Sequence, residues 1–119
     1  MNIELFREYC IKKKGVTEEF PFDNDTLVFK VMGKMFALTS LTKRPLSVNL
    51  KMNVRIITDW REKYRDIEPG YHMNKKMWNT VTIGNENIPS NEFYWMVDHS
   101  YGEVVRGLPK KTQEQLKRL

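Results

Sequence analysis

The sequence predicts an α+β protein in which helices pack on one face of an antiparallel sheet of four to five strands. The chain has 119 residues, enough for a single domain with one hydrophobic core but not for two. Apolar residues recur at helical spacing in three segments, and elsewhere they alternate with polar residues as in half-buried strands. The predicted order is helix, three strands, helix, one or two strands and helix, and all the helices can cover one sheet face.

The first predicted helix runs from Asn2 to Lys14. Its apolar side carries Ile3, Phe6, Tyr9 and Cys10. Gly15 is suited to ending the helix, and the lysines at positions 12–14 complement the negative end of its dipole. The segment 17–25 contains Pro21 and is interpreted as a connector.

A β-hairpin is predicted from strands 27–32 and 35–40. Gly33 and Lys34 lie between the strands, and a leading glycine suits a type II′ turn. The pairs that follow from this turn are Met32–Met35, Val31–Phe36 and Phe29–Leu38. The face assigned to the core then carries Leu27, Phe29, Val31, Phe36 and Leu38. The opposite face, called the outer face below, includes Lys30.

A turn at positions 42–45 precedes the third strand, 46–51, in which apolar and polar residues alternate. Asn49 and Lys51 therefore join Lys30 on the outer face. Asn53 suits the N-cap of a second helix that ends before Pro69. The apolar stripe of that helix is Ile56, Ile57, Trp60 and Tyr64.

Pro69 and Gly70 predict a turn, which leads into a strand from Asn79 to Ile83. Pro89 and Ser90 then open a third helix. One side of this helix carries Phe93, Val97, Ser100, Tyr101 and Val104, and Trp95 and His99 fall off that stripe. We expect Trp95 and His99 either to pack against the C-terminal segment or to be exposed.

The stretch 69–81 is the candidate binding site, because it combines a turn, amides, adjacent lysines and a tryptophan. Amides donate and accept hydrogen bonds, ammonium groups bind anions, and an indole ring can stack on a base. The predicted nucleic-acid contacts are Asn74, Lys75, Lys76, Trp78 and Asn79 in this stretch, Lys30, Asn49 and Lys51 on the outer face, and Lys34, Lys43 and Arg44 in the turns. The alternative is that Trp78 is buried beneath the C-terminal segment and that the lysines only protect sheet edges.

The formal net charge of +5 is concentrated at the C-terminal end. The segment 106–119 has five basic residues and one acidic residue, which leaves a charge of only +1 on the first 105. Such a basic segment can bind polyanions without sequence preference, or it can simply be a solubilising helix end.

Catalytic and metal-binding functions are not expected. Asp98, His99 and Ser100 are triad residue types, but neighbours on a helix point about 100° apart and cannot form the relay of a triad. Two histidines and one cysteine supply no zinc set, and no glycine-rich phosphate loop occurs. We therefore expect no enzyme activity, no cofactor and no metal. His72 could act as an acid or base, or have a structural role.

The chain is expected to be cytoplasmic and monomeric. It has no apolar run of membrane-spanning length, and charged residues interrupt the N-terminal apolar positions, unlike a signal peptide. The single Cys10 excludes an internal disulfide and fits a reducing compartment.

The segment from Gly70 to Val81, GYHMNKKMWNTV, resembles the most specific motif of the MmcQ/YjbR family of small bacterial proteins. Further similar pieces follow in the same order: Asp25–Val31 with Gly33–Leu38, Val48–Lys51, and Asp98–Tyr101 with Leu108–Lys111. The resemblance implies a frataxin-like (CyaY-like) fold and a DNA-binding role through a double-wing arrangement. The chain departs from the family pattern at Asp23-Asn24 and at Asn53-Val54, both of which are element starts.

These observations predict a DNA-binding protein that contacts mainly the phosphate backbone, through the open outer face and wing-like turns. The alternative is a non-enzymatic module that binds a small anionic ligand or a protein partner. In that case the site is the patch from Tyr71 to Asn79, around Tyr71 and His72.

Overall fold

The computed structural model describes residues 1–70 and 73–119. These residues form four helices and six strands. The helices are α1 (Ile3–Ile11), α2 (Val54–Lys63), α3 (Ser90–Arg106) and α4 (Lys110–Lys117). The strands are β1 (Val16–Glu19), β2 (Thr26–Val31), β3 (Lys34–Ser40), β4 (Ser47–Lys51), β5 (Ile67–Pro69) and β6 (Trp78–Thr82).

The strands form one sheet in the order β1-β2-β3-β4-β6-β5, with every neighbouring pair antiparallel. The predicted α+β class with an antiparallel sheet is thus confirmed, and the sheet has six strands instead of four to five. The additional edge strand β1 lies partly in the segment interpreted as a connector. In this strand Glu18 pairs with Arg7 and Glu19 pairs with Lys30, so both charges are compensated at the sheet edge.

The turn between β2 and β3 lies one residue earlier than predicted. Val31 pairs with Lys34, and both central residues have positive φ, 49° at Met32 and 86° at Gly33. Two positive φ values define a type I′ turn, so the predicted type II′ turn at Gly33-Lys34 is wrong.

A bulge in β3 also changes the predicted hairpin register. Lys30 pairs with Met35 and Phe29 with Ala37, which leaves Phe36 without an opposite partner. The predicted pairs Met32–Met35, Val31–Phe36 and Phe29–Leu38 are therefore wrong. Leu38 pairs with Val28 on the outer face, whereas Phe36 and Ala37 both join the main core.

The main core lies between the sheet and the helices. Phe6 of α1 packs edge-on against Phe29 of β2, with ring centroids 5.5 Å apart, and Phe93 of α3 lies 5.8 Å from Phe6. The buried Ser100 of α3 joins helix to sheet, because its hydroxyl donates to the Phe36 carbonyl (2.6 Å) and accepts from the Lys51 amide (2.8 Å). The stripes predicted for the first and third helices therefore face the sheet as expected.

Helix α2 is anchored by its N-cap and by aromatic stacking against α3. The predicted N-cap is confirmed, because Asn53 Oδ1 accepts a hydrogen bond of 2.9 Å from the Arg55 amide. Trp95 and His99 pack on this helix instead of the C-terminal segment: Trp95 stacks between Trp60 (5.2 Å) and His99 (4.9 Å).

The basic C-terminal segment ends in a helix that docks on the body of the protein. Leu116 of α4 is buried and approaches Gly15 so closely that a Cβ atom there would lie 2.6 Å from Leu116 Cδ1. Gly15 also has φ of +72°, which favours glycine. The lysines of α4 at positions 110, 111 and 117 point to solvent.

Candidate functional site

Among the described residues no helix covers the outer face of the sheet, and the predicted contact residues lie partly on this face and partly in the turns at its ends. Lys30 lies opposite Met35, and Asn49 lies between Leu38 and Thr80 across the neighbouring strands. Lys51 lies opposite Trp78. The predicted placement of Lys30, Asn49 and Lys51 on this face is therefore confirmed.

The centre of the outer face is apolar. Val28, Leu38 and Trp78 form a second buried cluster, separate from the main core, and three methionines pack against it. These are Met35, Met73 and Met77. Only 9% of Trp78 is exposed, so the predicted stacking or wedge role of its ring is wrong. The ring is covered because the chain before β6 folds back over this face.

Asn79 points to the opposite side of the sheet and is 1% exposed, so its predicted nucleic-acid contact is also wrong. Its Oδ1 atom accepts a hydrogen bond of 2.7 Å from Arg61 Nε, and its amide nitrogen lies 3.6 Å from Met52 Sδ. Asn79 faces inward because it is one residue away from Trp78 and Thr80, which face outward.

Arg61 of α2 holds the turn before β6 in place. Its guanidinium donates to the carbonyls of Lys75 (2.6 Å) and Trp78 (3.1 Å) as well as to Asn79. Burial lowers the pKa of Arg61, but an arginine keeps its charge at neutral pH. Sequence reasoning missed this residue, because no pattern distinguishes it from the other polar residues of α2.

The turn itself presents its two lysines to solvent. Asn74 Oδ1 accepts from the Lys76 amide (3.0 Å), and the Asn74 carbonyl accepts from the Trp78 amide (2.9 Å). The Asn74 side-chain oxygen is thus used to form the turn. Lys75 and Lys76 are exposed, as a phosphate contact requires.

Basic residues are found at both ends of the outer face. The first rim consists of Lys51, Lys75 and Lys76, which the pairing of β4 with β6 brings to one end of the sheet. Lys34 is exposed at the same end of the sheet, but it lies opposite Val31 of the main core and so belongs to the inner face. The second rim, at the opposite end, consists of Lys43 and Arg44 in the β3–β4 turn. Arg44 Nη1 donates to the carbonyls of Leu41 (3.2 Å) and Lys43 (2.8 Å), which fixes its guanidinium close to the turn. Strand β3 separates the rims by roughly 20 Å.

Acidic residues reduce the charge between the rims. Lys30 forms an ion pair of 2.7 Å with Glu19, and Glu68 lies opposite Thr80 on the outer face. The basic character of this face is therefore concentrated at its two ends.

A cleft of about 550 Å³ lies on the outer face, between the second rim and the buried cluster. Its apolar walls are Phe22, Met35, Leu38 and Met73, and its polar walls include Ser47, Asn49 and Thr80. Sequence reasoning missed Phe22, which is 64% exposed and comes from the segment interpreted as a connector. Met73 belongs to the predicted ligand patch, whereas Tyr71 and His72 lie outside the described residues.

The three residues with triad chemistry contact three different parts of the protein. Asp98 accepts from the Tyr9 hydroxyl (2.8 Å) and pairs with Lys13, His99 Nε2 accepts from the Asn53 amide (3.1 Å), and Ser100 bonds to β3 and β4. Burial, with help from Asp98, raises the pKa of Tyr9 to about 12. In residues 1–70 and 73–119 no group of three or more His, Cys, Asp or Glu side chains is arranged to hold a metal ion.

The fold and this face define a small α+β protein whose outer sheet face is bordered by basic turns. The family model YjbR matches residues 11–103, and the chain belongs to the YjbR family. It is 29% identical to the uncharacterized protein YjbR of Escherichia coli K12, over the full length of both chains. It is 36% identical to the uncharacterized protein YbdF of Escherichia coli O157:H7, over 82% of this chain and 80% of that protein.

A solved structure has the same architecture. Protein DR2400 of Deinococcus radiodurans, which carries a DUF419 domain, superposes with a TM-score of 0.90 at 35% identity. The match covers 98% of this chain and 88% of the other. None of the helices in the described part of the chain has the length and apolar composition needed to cross a membrane.

Proposed function

We propose that this protein binds DNA, mainly through the phosphate backbone, with the two basic rims as its contact regions. The support is the convergence of three lysines from two separate chain segments at one end of the outer face. Lys51 lies opposite Trp78 in the sheet, so it is next to the turn that exposes Lys75 and Lys76. Clustered ammonium groups supply the sequence-independent part of DNA affinity.

The separation of the rims suits a duplex. The rims are roughly 20 Å apart, whereas the major groove of B-DNA is about 12 Å wide. The two rims can therefore reach phosphates on both sides of one groove. In this proposal the apolar centre of the face does not contact bases, and Trp78 and Asn79 support the rims from inside. The protein acts as a monomeric, non-enzymatic and cofactor-free module in the cytoplasm.

The proposal is tested by fluorescence anisotropy of a labelled random duplex at several salt concentrations. Each phosphate contact contributes about 0.9 to the slope of log K against log salt. The Lys75→Ala/Lys76→Ala variant should therefore lose affinity and reduce the slope by about 2. Both lysines are exposed, so the variant should fold normally.

The C-terminal helix offers a matched control. Lys110 and Lys111 are also adjacent and exposed, so the Lys110→Ala/Lys111→Ala variant removes the same charge from another element. We expect this control to keep the slope of the native protein. If both variants lose affinity equally, binding depends only on net charge, and if the control loses more, the C-terminal segment is the binding element. If the native protein does not bind at low salt, the DNA proposal is wrong.

A further inference from the structure

The outer-face cleft has features that a solvent-exposed sheet face does not require. An exposed antiparallel face is usually polar, yet here Met35, Leu38 and Met73 form one wall of a cleft of about 550 Å³. That volume is in the usual range for small-molecule sites, about 300–1,000 Å³. Phe22 lies at the edge of the cleft, and 64% of its surface is exposed. A ligand in the cleft would reduce this exposed surface.

The apolar walls are suited to a flat ring. Methionine side chains are flexible and polarizable, and their sulfur atoms make favourable contacts with aromatic rings. Phe22 adds an aromatic ring that can stack against a ligand from the open side. Leu38 is held rigidly underneath, because it belongs to the buried cluster with Val28 and Trp78.

The polar wall offers hydrogen-bond donors. The Thr80 hydroxyl donates to Asn49 Oδ1 (2.6 Å), which leaves the Asn49 amide nitrogen as the group available to a ligand. Among the described residues neither this nitrogen nor the Ser47 hydroxyl has a hydrogen-bond partner. Ser47 and Asn49 are two residues apart on β4, so they lie on the same face about 7 Å from each other.

The charge of the lining also selects the ligand. Lys43 lines the cleft, and no acidic side chain is among the described residues that line it. Together with the donors of Ser47 and Asn49, this favours a carboxylate at the end near the β3–β4 turn.

We infer that the cleft between Phe22 and Asn49 binds a small aromatic carboxylate. The ring lies between Phe22 and the wall of methionines and Leu38, and the carboxylate accepts hydrogen bonds from Asn49 and Ser47 beside Lys43. This site shares Lys43 with the second rim, its other contact residues lie outside both rims, and its existence does not depend on DNA binding.

The probe for the test is 2-naphthoate, titrated into the full-length protein and followed by two-dimensional ¹H–¹⁵N NMR. We expect saturable shifts confined to β3, β4 and β6 around the cleft, with a dissociation constant on the order of 1 mM for a ligand of this size. The neutral isostere 2-naphthalenemethanol should bind more weakly, because it lacks the charge that the Asn49 amide and Lys43 recognise.

Two substitutions distinguish the polar wall of the site from its aromatic wall, and a third is a control outside the site. Asn49→Ala should weaken 2-naphthoate binding about tenfold and leave the neutral probe almost unchanged, because a hydrogen bond to a charged group is lost. Phe22→Ala should weaken both probes about fivefold. Phe20→Ala is the matched control, since Phe20 is also exposed (46%) but lines a groove on the α1 side.

The inference is overturned by any of three results. These are the absence of saturable shifts, shifts centred on the groove near Phe20, and equal weakening by Phe20→Ala and Phe22→Ala. Both phenylalanines are exposed, and the NMR spectrum of each variant shows whether the fold is intact before the titration begins.

Discussion

The two faces of the sheet use the same strands but are covered in different ways. On the inner face, side chains from β2, β3, β4 and β6 pack under α1 and α3, and Phe29 contacts Phe6 edge-on. On the outer face Val28 and Leu38 are also buried, but the segment 73–78 covers them instead of a helix. Burial on the outer face therefore depends on one short turn, and the rest of that face stays open for binding.

The two faces also differ in what holds their covering elements in place. The inner face is held by several elements that each bury apolar area, so no single polar contact decides its structure. The segment 73–78 covers the outer face and is called the outer cover below. It is held by the hydrogen bonds of Arg61 to the carbonyls of Lys75 and Trp78 and to the side chain of Asn79. The same turn presents the lysines of the first rim, so the contact that stabilises the cover also positions the proposed binding groups.

Replacement of Trp78 is the strongest test of the buried outer cluster. Trp78→Ala should lower the free energy of unfolding by about 3–5 kcal/mol, because it leaves a large cavity between the sheet and the methionines. Urea denaturation followed by circular dichroism measures the effect. Trp95→Ala is the control: Trp95 is 44% exposed, and loss of its stacking should cost only about 1 kcal/mol. Equal costs for the two variants would show that Trp78 is not buried.

The inner face could be predicted well, because local periodicity and tertiary burial agree there. Alternation placed Phe29, Val48 and Leu50 in the core, and helical spacing placed Phe93 and Ser100 against the sheet. The hairpin register was wrong because alternation cannot detect a bulge. A glycine within the turn also fits either a type I′ or a type II′ conformation, so it does not fix which residues are central.

The candidate site could be predicted only in part. Alternation correctly placed Asn49, Lys51 and Trp78 on the outer face, but an outward direction does not make a side chain exposed when a distant turn folds over it. Phe22 reaches the cleft from another part of the chain, and no sequence spacing links it to Asn49. Such contacts depend on tertiary structure and leave no periodic signal.

A smaller effect is expected from Arg61, which connects the outer cover to α2. Arg61→Ala should lower the free energy of unfolding by about 2 kcal/mol, because the buried Asn79 Oδ1 atom loses its donor. The exposed Arg65 is the control, and Arg65→Ala should change stability by no more than about 0.5 kcal/mol.

Hydrogen exchange shows where the Arg61 effect occurs. The Trp78 amide, which bonds to the Asn74 carbonyl, should exchange faster in Arg61→Ala, whereas the Val48 amide in the centre of the sheet should change much less. Uniform acceleration across the sheet would contradict the view that Arg61 supports mainly the outer cover.

The smallest effect concerns pH and is confined to the helix side of the sheet. His99 Nε2 accepts from the Asn53 amide at the start of α2, which only a neutral imidazole can do. Burial, with a smaller contribution from Arg106, lowers the pKa of His99 below its ordinary value of 6.5. Arg55 and Glu103 also line the space beside it. The unfolded chain therefore binds a proton more readily than the folded protein, and stability should fall as pH decreases below about 6.5.

His99→Phe tests this assignment, because phenylalanine can keep the stacking on Trp95 but can neither accept the hydrogen bond nor titrate. At pH 8 the variant should be less stable by about 1 kcal/mol, since the Asn53 amide loses its acceptor. Between pH 6.5 and pH 5 the native protein should lose stability more steeply than the variant, so the difference between them narrows. If the two proteins have parallel stability profiles over this range, His99 does not supply the pH dependence.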